Sequence, residues 1–141
     1  MKISAADYTA RIEVRYAETD AMGVVHHAFY AVWLEQARVE AMRAHGCPYD
    51  EIEKSGFSSP VIEMNTQFLH SCRFGDFVDV HVTVARVDKL RVQFFYELSV
   101  NGKLCAKAFT LHLFTKIATG MPCRKLPQEF AQAFFPEELE G

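Results

Sequence analysis

The sequence predicts an α+β domain in which one long helix packs against one antiparallel sheet. Three observations carry that expectation. Phe77 to Val87 alternates strictly, with Val78, Val80, Val82 and Val84 on one face and Asp79, His81 and Thr83 on the other. Asn101-Gly102 joins two further β-like runs, Arg91–Val100 and Lys103–Lys116, and both residues tolerate the positive φ of a tight hairpin. From His27 to about His45, Phe29, Trp33, Ala37 and Ala41 recur at helical spacing, flanked by Tyr30, Leu34 and Met42.

The remaining elements fall into place around these. Tyr8 to Tyr16 alternates, with Ile12, Val14 and Tyr16 facing one way and Arg11, Glu13 and Arg15 the other, the pattern of a half-buried strand. The apolar stripe of the long helix is broad, which implies a largely covered helix, and Gly46 is placed to stop it. Pro48 to Ser55 suits a short second helix that ends at Gly56. Pro60 to Leu69 reads as a strand and Arg73–Asp76 as a turn. The proline-bearing tail leaves room for a short helix around Gln128 to Phe134. A sheet with one covered face and open edges favours dimerisation.

Composition narrows the function. The 141 residues fit one domain, 1–141, and half of them are hydrophobic, enough for a core. Twelve phenylalanines point to a thick core, a subunit interface or a pocket for an apolar ligand. A formal charge of −3 without a Lys/Arg run argues against a nucleic-acid partner. No run approaches the ~18 apolar residues of a membrane span, and Met1–Tyr8 lacks a signal-peptide core. Cys47, Cys72, Cys105 and Cys123 stand far apart, so neither a zinc site nor a disulfide framework is expected. A reduced, cytoplasmic chain is the simplest reading.

Tyr16-Ala-Glu-Thr-Asp20-Ala-Met-Gly23-Val-Val-His-His27-Ala-Phe-Tyr30 lies between the first strand and the long helix. A helix start gathers unpaired N–H groups and partial positive charge, so it can hold an anion or a polarised carbonyl. A carboxylate aimed there could attack the carbonyl or activate water against it. That is acyl-transfer chemistry. Asp20 precedes the helix by about seven residues, too far for a simple cap.

This loop, the following Trp33-Leu-Glu-Gln-Ala-Arg38 and the segment Phe68-Leu-His-Ser-Cys-Arg-Phe-Gly-Asp76 resemble the hotdog-fold acyl-CoA thioesterases. The likeness is to the 4-hydroxybenzoyl-CoA thioesterase group and its YbgC-type branch, over roughly Tyr8 to Phe130. The resemblance implies a hotdog fold, a long central helix wrapped by about five antiparallel strands. It implies thioester hydrolysis with Asp20 as catalytic carboxylate, nucleophile or base, and with Tyr16 and His27 as further catalytic positions. The N–H at His27 would polarise the carbonyl, and Gly23 would let the backbone approach the substrate. Such enzymes are homodimers or homotetramers with sites at the dimer seam. Acyl-CoA, or an acyl group on acyl carrier protein, is the expected substrate, and no metal or cofactor is needed.

Other readings of single residues stand beside these. His27 could only cap the helix, Tyr16 could be the last inward residue of the strand, and His26 reads as structural or solvent-facing. Glu35 is a helix carboxylate of the kind other hotdog thioesterases use, but a pair with Arg38 one turn on would also explain it. Glu63 is a further carboxylate without a motif. Lys89 and Arg91 flank a strand turn where they could contact CoA phosphates, and Arg73 is a weaker candidate. The rival functions are a hotdog hydratase or dehydratase, and a non-catalytic acyl-thioester or carrier-protein binder.

Overall fold

Alternating valines pack one face of a central strand against the long helix, and the remaining strands build outward from it. The computed structural model describes residues 1–139. β1 (Lys2–Ile3) and β2 (Tyr8–Glu13) lie one after the other along the same edge of β5 (Phe77–Arg86), with Lys2 opposite Arg86 and Glu13 opposite Phe77. β6 (Arg91–Val100), β7 (Lys103–Leu113) and β4 (Val61–Phe68) follow in order, all antiparallel, to make a six-stranded sheet. β3 (Phe57–Ser58) and β8 (Thr115–Lys116) form a separate two-stranded ribbon. Helix α1 (Ala28–Ala44) crosses one face of the sheet. Helices α2 (Tyr49–Lys54) and α3 (Gln128–Phe134) close its far end.

Trp33, Leu34, Ala37 and Ala41 of α1 are buried with Val78, Val80, Val82, Phe94, Tyr96 and Leu98 in one core. α3 extends it through Phe130, whose ring centroid lies 4.8 Å from those of both Phe114 and Phe134. Each such ring contributes about 1.5–3 kcal/mol by leaving water.

The structure departs from the sequence reading where local chemistry competes with pattern. The first strand ends at Glu13, because the Glu18 carboxylate accepts the Arg15 N–H at 2.8 Å and turns Tyr16–Glu18 into a 3₁₀ turn. Tyr16 therefore points outward, 76% exposed, instead of ending an inward row. The last long run breaks at buried Phe114, which delivers Thr115–Lys116 to β3. The short β1 takes the main sheet beyond five strands. α1 is covered on one side only, with Val32, Glu35 and Gln36 exposed.

Glu35, on the exposed side of α1, lines one cavity with Val61 of a bare sheet edge. β4 pairs with β7 on one side, from Val61 opposite His112 to Phe68 opposite Ala106, and ends the sheet on the other. Val61, Ile62, Met64 and Phe68 are all exposed, Met64 and Phe68 by 51% each. An apolar, unpaired edge of this length is a template for another strand.

Candidate active site

Two carboxylates in the Tyr16–His27 loop do different work. Glu18 is 2% exposed and accepts hydrogen bonds from the Arg15 N–H (2.8 Å), the Arg15 guanidinium (3.2 Å) and the Trp33 indole N–H (3.0 Å). Burial alone would raise its pKa, but these donors hold the carboxyl below the usual range, so it is ionised and pins the loop to α1. Its backbone carbonyl also accepts the His26 N–H at 2.9 Å, which fixes the helix entry.

Asp20 sits at the exposed tip of a tight turn. Its Oδ1 accepts the Met22 N–H at 2.8 Å and the Val24 N–H at 3.4 Å, and its carbonyl accepts the Gly23 N–H at 3.0 Å. Gly23 adopts a φ of +77°, which the turn requires of it. A Cβ there would stand 3.8 Å from the Arg73 guanidinium, an ordinary contact, so backbone conformation selects the glycine. The returning arm docks on the loop before β5 through Val25 N–H to Cys72 O at 2.8 Å. Of the two carboxylate oxygens of Asp20, only Oδ1 takes part in hydrogen bonds among the described residues.

At the helix entry, His26 Nδ1 accepts the Ala28 N–H at 3.2 Å, and the His26 and His27 carbonyls accept the N–H groups of Phe29 and Tyr30. The His27 N–H has no backbone acceptor among the described residues. The His27 ring stacks on His26, with centroids 4.2 Å apart, and meets the Phe68 ring edge-on at 6.5 Å. Asp20 and His27 line one cavity of about 310 Å³ together with Tyr30, Phe68, His70 and Ser71. Burial, then the Cys72 thiol, push the Tyr30 phenol above its ordinary pKa, which keeps it a neutral O–H donor in that wall.

Of the residues singled out in the sequence, Asp20 and His27 converge on this cavity. Gly23 shapes the Asp20 turn, and Tyr16, which does not line the cavity, packs edge-on against Phe74, with centroids 5.7 Å apart. Lys89 and Arg91 lie at the other end of the sheet from their own Asp20, about ten strand residues or roughly 30 Å along β5. Arg91 is paired there with Asp88 at 2.8 Å. Glu63 is exposed on β4, and Glu35 stays unpaired with Arg38 among the described residues. Glu18, Tyr30 and His70 were missed. The segment Phe68–Asp76 held the signal for His70, whereas nothing in one sequence separates Glu18 from Asp20.

Arg38 turns inward instead of meeting Glu35. It donates to the Tyr96 hydroxyl at 3.1 Å, Tyr96 to Thr110 at 2.7 Å, Thr110 to His112 Nε2 at 2.8 Å, and His112 Nδ1 to the Ser59 carbonyl at 3.1 Å. One donor direction satisfies the whole chain only if the imidazole is neutral. Burial and the Arg38 charge hold His112 at a pKa of about 4. Arg38 lines a second cavity of about 330 Å³, eleven residues or roughly 16 Å along the helix from His27.

Comparison with known proteins agrees with this architecture. Residues 14–138 match the family model described as the thioesterase-like superfamily. YneP of Bacillus subtilis, named provisionally as an acyl-CoA thioesterase, is 36% identical over 103 residues, which cover 72% of this chain and 75% of that protein. A crystal structure titled DHNA-CoA thioesterase from Staphylococcus aureus superposes with a TM-score of 0.81 at 33% identity, covering 95% of this chain and 87% of the other. TT1821 from Thermus thermophilus superposes with a TM-score of 0.81 at 38% identity, covering 90% and 94%. The chain belongs to the thioesterase-like superfamily and has its hotdog fold.

Proposed function

We propose that this protein is an acyl-CoA thioesterase that hydrolyses its substrate to a free acid and coenzyme A. The observation that supports the reading is that Asp20, with one carboxylate oxygen outside any hydrogen bond among the described residues, and His27, whose N–H has no backbone acceptor there, line one cavity. With the thioester carbonyl against that N–H, negative charge developing on its oxygen finds a fixed donor and the positive end of α1. Losing one such donor costs roughly 2.7–4 kcal/mol in other hydrolases.

The second Asp20 oxygen then supplies the negative charge the reaction needs. As nucleophile it forms a mixed anhydride that water opens; as base it takes the proton of the attacking water. In both routes the water oxygen ends on the acyl carbon, the C–S bond breaks and the thiolate takes up a proton. The His27 side chain orients that water or Asp20, Gly23 keeps the turn that aims the carboxylate, and Tyr16 adds a polar contact at the rim. These donors belong to the fold, and the chemistry asks for no metal or cofactor. Four free, buried cysteines fit a reducing cytoplasm.

The working unit is a homodimer, or a pair of them, joined through β4. Its apolar, unpaired edge and the exposed side of α1 support this. Two copies of β4 pairing antiparallel bring the Val61 end of one chain to the Phe68 end of its partner. Each Asp20 cavity then lies at the seam, covered by the other subunit.

The test is release of free thiol from a panel of aromatic and aliphatic acyl-CoAs. Turnover on any of them supports the reading. A folded dimer that releases no thiol from the whole panel overturns it and favours a binding protein.

A further inference from the structure

We infer that a basic cleft between the β3–β8 ribbon and residues 122–129 holds the phosphate-bearing nucleotide end of coenzyme A, while the thioester occupies the partner subunit's Asp20 cavity. The inference rests on the dimeric thioesterase reading and deepens it, because it selects coenzyme A over a carrier protein as the thiol carrier.

The cleft encloses about 690 Å³. Lys116, Arg124 and Lys125 stand in its wall with Phe57 and Pro122, and Glu129 is the acidic member. Ser55 Oγ donates to Glu129 at 3.3 Å. None of the three cations belongs to an ion pair among the described residues. Three uncommitted cations converging on one cleft stand out in a chain of net charge −3. Ring and proline surfaces beside them offer a base something flat to lie on.

Buried Arg86 organises this end of the sheet. Its Nη2 donates to the carbonyls of both Lys89 (3.1 Å) and Arg124 (2.9 Å), so one guanidinium locks the β5–β6 turn against the cleft wall. Its Nε meets Glu138 at 3.2 Å. Nη1 is buried without a partner among the described residues, so Glu138 is the one carboxylate set against this charge there. The exposed Lys89 side chain thereby joins Arg124 and Lys125 in one field.

Topology places the cleft at the right distance. β3 runs into β4 through only Ser59 and Pro60, so the cleft adjoins the Val61 end of the open edge. Antiparallel pairing of two β4 strands brings the partner's Phe68 end, and with it the partner's Asp20 cavity, to that same corner. The Lys89 turn lies three strand spacings from β4, roughly 14 Å. A phosphopantetheine arm is long enough to cross from the seam to this surface. Within one subunit the same residues are far out of reach.

The experiment compares acyl-CoA with the matching acyl-pantetheine, which lacks the nucleotide, in the full-length dimer. Wild type should favour acyl-CoA in kcat/KM by at least ~10-fold, which is about 1.4 kcal/mol. Arg124→Glu with Lys125→Glu should raise KM for acyl-CoA and abolish that preference, with kcat held. Adenosine 3′,5′-bisphosphate should compete with acyl-CoA in wild type and fail to in the variant. Lys116→Gln should move the same quantities less far. An unchanged preference in the charge-reversed variant, or bisphosphate that binds both proteins alike, overturns the inference. So does a charge effect seen only with acyl carrier protein substrates. If no thioester is turned over, calorimetric binding of the bisphosphate to both proteins still decides the cleft, separately from the chemistry.

Discussion

Glu18 and Asp20 are two residues apart in one loop, yet they belong to different regions of the molecule. Glu18 lies under the loop against Trp33, buried and held by three donors. Asp20 stands at the loop's tip and lines a cavity with His27, with one carboxylate oxygen held by backbone N–H groups and the other outside any hydrogen bond among the described residues. The difference separates an anchoring carboxylate from the one proposed for the chemistry. A buried carboxylate with both oxygens engaged by three donors stabilises a fold, and one with an uncommitted oxygen is the better candidate to react.

The largest expected effect comes from removing the covered environment that the dimer would give Asp20. Met64 lies near the middle of β4, so in an antiparallel pair it sits close to its own copy. Met64→Lys sets two like charges together there and should reduce the particle to a single 16.1 kDa chain in sedimentation. Thiol release should fall to background while the Glu18 anchor and most of the thermal stability remain. A fully active monomer would show that the seam has no part in catalysis.

Glu18→Ala should act in the opposite sense. It leaves the buried Trp33 N–H and the Arg15 N–H without acceptors, at a cost of about 3 kcal/mol in denaturant unfolding. Activity should fall with the folded fraction and with loss of loop order, and Glu18→Gln should recover part of both. A variant as stable as wild type would mean the loop is held elsewhere.

Much of this division was legible in the sequence, and the illegible parts share a cause. The strands from Phe77 onward follow from period-2 alternation, and α1 and α3 were read within a residue or two of their ends. Asp20 and His27 could be singled out as candidates because their setting is contiguous, and the fold places both in the wall of one cavity. Glu18 could not, since in Glu-Thr-Asp two carboxylates look alike until Trp33 is folded back onto one of them. Arg38 was expected to pair with Glu35 across one helical turn. Its actual partner, Tyr96, lies 58 residues away, and helical spacing carries no information about such a contact. Open edges were expected, but Val61 to Phe68 reads the same whether a strand is interior or open, so which strand forms the bare edge was not legible. The position of Lys89 and Arg91, at the end of the sheet opposite their own Asp20, depends on strand order and not on residue type.

The polar chain at the other end of α1 makes a third region, closer to Glu18 in character, and it offers a smaller test. His112 holds a pKa of about 4 in the folded chain against 6.5 when unperturbed. As pH falls from 6.5 towards 4, the unfolded chain takes up a proton that the folded chain refuses. Stability therefore declines over that window and is fully present above it, by about 3 kcal/mol in total for this residue. Urea midpoints for wild type and His112→Gln should converge as the solution is acidified. Parallel curves would show that His112 takes up its proton as readily in the folded chain as in the unfolded one. Glu18 adds to the acid loss in the same direction, because its folded pKa is also depressed.

The most direct measurement pairs turnover with melting temperature in Asp20→Asn. Asparagine keeps an oxygen for the Met22 and Val24 N–H groups and removes the charge. The account predicts thiol release at least ~100-fold below wild type, with a melting temperature within about 2 °C, since a surface change of this kind alters stability by roughly 0.5 kcal/mol or less. Wild-type turnover in Asp20→Asn would contradict it, and would move the reacting carboxylate elsewhere along the seam.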